Sequence, residues 1–124
     1  MSEKTTKIIH WILTGLVAFV FLGSAYGKLA ADATALEMAN GFGLDATTFK
    51  MLGIVEILSV LLFIIPRTGI LGTLLLVAYM GGAIATHLEH QQSPIAPMAI
   101  AAFVWVVAVI RFPELRGRLF GKTL

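Results

Sequence analysis

The chain has 124 residues, of which 58% are hydrophobic and 13% charged, with nine basic residues against seven acidic ones and no cysteine. That is about half the charge of an ordinary soluble domain. The missing thiols exclude a disulfide, a CxxC redox centre, a thiolate metal site and c-type haem attachment.

Mean hydropathy is +0.91, and the apolar residues come in blocks. Ser2 to Lys7 is a short polar lead. Ile8 to Gly27 then runs 20 residues without a formal charge, with His10 neutral. A helix needs ~20 apolar residues to cross a ~30 Å hydrocarbon core, so a first span is predicted over 8–29. Ala30 to Lys50 is the longest connection. Ala31 to Asn40 within it suits a short helix at the outer surface, broken by Gly41-Phe42-Gly43. Asp45 or Thr47 is a suitable N-cap for a second span over 48–65. Pro66-Arg67-Thr68-Gly69 must be a tight turn, because proline ends the helix there. The third span, 68–88, therefore returns antiparallel. Glu89 to Ser93 is a short loop, Pro94 and Pro97 fit the first turn of a fourth span over 94–111, and Phe112-Pro113 ends it. The fold class is all-α, a polytopic transmembrane four-helix bundle occupying 1–124 as one domain.

Lysine and arginine mark the cytoplasmic side of a membrane protein. With both termini inside, that side holds Lys4, Lys7, Arg67, Arg111, Arg116, Arg118 and Lys122, against Lys28 and Lys50 outside. The N-in/C-in arrangement follows. The pI of about 9.2 reflects this asymmetry, so lipid is the expected partner and nucleic acid is not. The basic tail from Arg111 to Lys122 is expected against anionic headgroups. Ala31-Asp32-Ala33 imitates a signal cleavage site, but the apolar stretch before it exceeds the ~7–15 residues of a signal h-region.

Glu56 stands alone in the uncharged run Met51 to Ile65. A carboxyl group there costs at least ~2.5 kcal/mol to insert and normally faces a bundle interior. It lies eight residues in from Thr48, about 12 Å deep at 1.5 Å per residue and near the midplane. The same count places Ser24, Tyr79 and Trp105 near its level, with Gly82 and Ala102 leaving space. Gly53, Glu56 and Ser59 share one helix face. Above lies a second polar layer of Tyr26, Lys28, Thr86, His87 and His90. Lys28 can turn inward to Glu56 or snorkel to the headgroups. A buried Glu56 lacking a cation is expected to be protonated. His87 and His90 permit a metal by spacing, but two ligands are too few, so no metal is expected. His10 is too far away to complete a bis-histidine haem. The small residues Gly23, Gly27, Gly53 and Gly82 are predicted to mark helix packing.

Four segments, taken in order, resemble the DoxX-like family of small four-span bacterial membrane proteins. They are Phe21-Leu22-Gly23-Ser24-Ala25-Tyr26-Gly27-Lys28-Leu29; Gly53-Ile54-Val55-Glu56-Ile57 with Leu61 to Arg67; Leu71-Gly72 through Gly81 to Leu88; and Arg111-Phe112-Pro113-Glu114-Leu115-Arg116. The resemblance implies a four-helix bundle and puts Lys28, Glu56 and His87 at family positions. The family takes its name from a subunit of an archaeal thiosulfate:quinone oxidoreductase, and distant relatives look like assembly factors or cargo receptors.

Three functions fit. The first is an accessory or quinone-associated subunit of a membrane redox complex, with Glu56, Tyr79, Lys28 and His87 bonding a quinone headgroup. The second is a non-catalytic chaperone or scaffold that associates with itself or with other membrane subunits. The third is a binder of a small lipophilic ligand in a polar intramembrane pocket. No nucleophile with a base is visible, so catalysis by this chain alone is not expected.

Overall fold

The computed structural model describes residues 2–121, so Lys122 at the end of the basic tail lies outside the described residues. Six α-helices and one 3-10 turn account for most of them: α1 (Glu3–Ala30), α2 (Ala33–Gly41), α3 (Ala46–Ile64), α4 (Gly69–Glu89), α5 (Ile95–Arg111) and α6 (Pro113–Phe120), with the 3-10 turn over Pro66–Thr68.

Local chemistry explains the boundaries. Ser2 caps α1 by accepting the Thr5 backbone N–H at 3.1 Å, and the Thr6 hydroxyl donates to the Ser2 carbonyl at 3.0 Å. The polar lead therefore winds into the first turn, and α1 begins five residues before the apolar block does. Ala31 closes α1 in a left-handed conformation, φ 52°. Asp32 and Asp45 cap α2 and α3, accepting the backbone N–H groups of Ala35 at 2.8 Å and Thr48 at 2.7 Å. At the α3–α4 corner the Thr68 hydroxyl donates to the Leu62 carbonyl at 2.8 Å, which the helix end would otherwise leave open. Pro113 ends α5 and also occupies the first turn of α6, which leaves at 107° to α5. From the sequence Pro113 reads as a stop with no helix after it, yet the fixed φ of proline also suits a helix start.

α1 packs on α3 and α5, α3 on α4, and α4 on α5. Val17, Phe21, Val60, Phe63, Leu76, Val104 and Val107 fill the space between them and are at most 2% exposed. A smaller cluster of Ala35, Ala39 and Phe49 docks α2 on α3. The outward surface is equally apolar, with Ile12, Leu16 and Phe19 on α1 and Ile54, Leu58 and Leu61 on α3 exposed. A helix that is hydrophobic all round needs an apolar solvent on its outer face. α1, α3 and the stretch Pro66–Glu89 are long and apolar enough to cross a membrane, and α5 with α6 forms a bent fourth candidate. The 17 residues of α5 reach only about 25 Å at 1.5 Å per residue.

The glycines sort differently from expectation. Gly53 does lie at a crossing, where an added Cβ would meet the Ala25 carbonyl of α1 at 3.3 Å. Gly27 has only Asp32 nearby, while Gly23 and Gly82 have nothing within 4 Å of that position. The tightest backbone contact is at Gly72, whose added Cβ would stand 2.1 Å from the Phe63 nitrogen, and Gly69 is as close to the Phe112 ring. Spacing identifies a small face, but not whether a neighbour occupies it.

Candidate functional site

Glu56 is 2% exposed, and three donors converge on one of its oxygens. Oε1 accepts from Lys28 Nζ at 2.9 Å, Tyr79 Oη at 3.2 Å and Ser24 Oγ at 3.3 Å. Lys28 Nζ also donates to Ser24 Oγ at 2.5 Å. Helical spacing explains the set. Ser24 and Lys28 are one turn apart on α1 and face the same strip of α3, and Gly53, one turn before Glu56, brings the two helices close enough for the pair to form. The Lys28 ammonium lies 5.2 Å from the centroid of Phe49 and 6.0 Å from that of Tyr79. These rings cover a cation that would otherwise be bare in a low dielectric. Lys28 thus turns inward and pairs with Glu56 instead of snorkelling to the headgroups.

Glu56 forms the floor of a cavity of about 450 Å³, within the ~300–1,000 Å³ range of small-molecule pockets. Ser24, Lys28, Tyr79, Gly82, Thr86 and His87 line it, and the rest of the wall is mainly apolar, including Phe21, Leu52, Met80 and Ile100. Met38 and Phe42 from α2 and its end complete it. His87 Nδ1 lies 2.6 Å from the Ala83 carbonyl, and its ring packs on Phe42 with centroids 4.7 Å apart. A carbonyl can only accept, so Nδ1 carries a proton and donates it to Ala83. The Thr86 hydroxyl is bound to the Gly82 carbonyl at 2.8 Å.

Tyr26 stands apart from this group: it is 73% exposed and points away from the cavity. Trp105 is not part of the wall either. Sequence reasoning missed Phe49 and the α2 contribution. Phe49 sits one turn before Gly53 on the face already identified, so extending that face by four residues would have found it. Among the described residues no group of three metal-ligating side chains comes together.

At the opposite end, Arg111 donates to the carbonyls of Phe63 at 2.5 Å and Ile64 at 2.6 Å. Its guanidinium also lies 4.8–5.5 Å from the rings of Trp11, Phe63 and Phe112. It ties α1, α3 and α5 together where α3 ends.

Apolar helices around a buried ion pair, clothed outside in exposed aliphatic side chains, define an integral membrane protein in contact with lipid. The DoxX-like family model matches residues 12–110, which covers α3, α4, most of α1 and α5 and the whole polar cluster, and the chain belongs to this family. No curated protein and no solved structure matches it.

Proposed function

We propose that this protein is a four-span helical bundle of the bacterial inner membrane, with both termini cytoplasmic, that holds a small lipophilic molecule with its polar head on Glu56. The observation that carries this reading is a buried carboxylate at the floor of an apolar-walled cavity, with all three of its side-chain donors on one oxygen. A purely structural ion pair needs no such space beside it. The family resemblance points to the isoprenoid quinone couple as the occupant. The protein is then an accessory, quinone-associated subunit whose redox centre resides on another chain, bound through its exposed apolar faces. Proton exchange with a headgroup at Glu56 is within the chemistry of an intramembrane carboxyl group.

The test is mass spectrometry of lipophilic molecules retained by the purified protein. Gly82 lines the cavity, and a Cβ there meets nothing within 4 Å, so Gly82→Leu fills space without forcing the helices apart. The wild-type protein should retain a defined molecule at near-stoichiometric amount and Gly82→Leu should retain far less. Equal retention by the two, or none by either, overturns the proposal.

A further inference from the structure

The hydrogen-bond inventory of the pocket is lopsided. Ser24, Tyr79 and Lys28 all direct donors at Glu56 Oε1, and Lys28 places a second on Ser24 Oγ. The Thr86 hydroxyl is committed to Gly82, and His87 Nδ1–H to Ala83. The Lys28 ammonium keeps a third N–H, and one carboxylate oxygen stands open. Glu56 Oε2 receives no hydrogen bond from the described residues, on a side chain only 2% exposed that lines the cavity. No fully enclosed side-chain oxygen or nitrogen among the described residues lacks a partner, so Oε2 is not sealed in the core and opens to the cavity. The His87 ring is on the same helix as Tyr79 and about 12 Å further along at 1.5 Å per residue.

From this we infer that the pocket selects a lipophilic ligand whose head donates a hydrogen bond, a phenol or hydroquinone hydroxyl, over the same skeleton with an acceptor-only head. The inference rests on the pocket reading above and specifies its ligand. A hydroxyl bonds Oε2 and leaves the existing set intact. A carbonyl or ether oxygen can accept the third N–H of the Lys28 ammonium but leaves Oε2 without a partner, which is costly in a dry site, whereas a hydroxyl can do both. An ammonium head meets the Lys28 charge beside the same carboxylate. A neutral donor satisfies all three conditions.

The experiment uses the full chain in detergent micelles and a redox-inert pair of probes, 4-decylphenol and its methyl ether, titrated by calorimetry. Hydrogen bonds to charged groups contribute about 1.5–3 kcal/mol, so the phenol should bind about tenfold tighter or better. In the paired variant Lys28→Met/Glu56→Gln, no lone buried charge is left, and an amide N–H₂ can replace the free oxygen. The phenol preference should fall to unity or invert. Equal binding of the two probes to the wild type, both weakened by Gly82→Leu, overturns the selectivity and leaves the pocket standing. Absence of saturable binding by either probe overturns both readings. A preference unchanged in the paired variant removes Glu56 as its source. The wild-type comparison decides the selectivity even where the paired variant folds poorly.

Discussion

The Lys28–Glu56 pair sits where ions are most expensive, and its cost is offset by geometry. Three donors on one carboxylate oxygen and two aromatic faces on the ammonium replace what water would supply. Removing one partner strands the other, at about 3–5 kcal/mol, whereas replacing both with apolar residues of similar volume is close to neutral. Glu56→Ala and Lys28→Ala are each expected to lower the thermal midpoint strongly, and Lys28→Met/Glu56→Met to recover most of the loss. Thermal unfolding of the four proteins in one detergent measures this. If the double variant is as unstable as the sum of the singles, the two side chains are not coupled. Depth counting along regular helices put Ser24 and Tyr79 at the level of Glu56, since rise per residue is constant. The direction of Lys28 was not legible, because it depends on the cover that Phe49 and Tyr79 provide after folding.

Between neighbouring helices, close approach is decided at a few positions. Gly72 lets α4 lie against the Phe63 backbone, where even a methyl group would stand 2.1 Å from nitrogen. Gly72→Ala should therefore be severely destabilising. Gly81→Ala, with nothing within 4 Å, should be neutral or slightly stabilising through helix propensity. Thermal unfolding separates the two, and equal effects would refute the packing account. At the N-terminus of α3, the hydrogen bonds from the Thr48 backbone and then its side chain hold the exposed Asp45 carboxyl below the usual carboxylate range. Because the folded value is depressed, the cap's contribution is complete above about pH 4. It is lost as pH falls through the lower folded value. Asp45→Asn keeps an acceptor there and should lose this acid sensitivity, read as faster amide exchange of the Thr48 turn at low pH in wild type alone. The short helices were the least legible elements. α6 begins at a proline that the sequence marks equally well as an end.

The proposed orientation rests on charge counts, with seven basic residues assigned to the inside against two outside. The chain has no cysteine, so single introduced cysteines report sidedness without background. On the N-in/C-in reading, Ser2→Cys should be labelled by a membrane-impermeant maleimide only in inside-out vesicles, and Gln91→Cys only in right-side-out ones. The reverse pattern overturns the orientation.

Composition, hydrophobic block length and turn residues were enough to read an all-helical chain with its long apolar helices and the α3–α4 hairpin. These depend on local backbone preference and on solvent, and both are properties of consecutive residues. The isolated carboxyl group also announced a special position, because one charge in an apolar run stands out against its neighbours. Packing decided the remainder: which way Lys28 turns, which glycines touch a neighbour, that α2 walls the cavity, and that Glu56 keeps an oxygen facing it. Each of these depends on the distance between residues far apart in the chain, which no local pattern encodes.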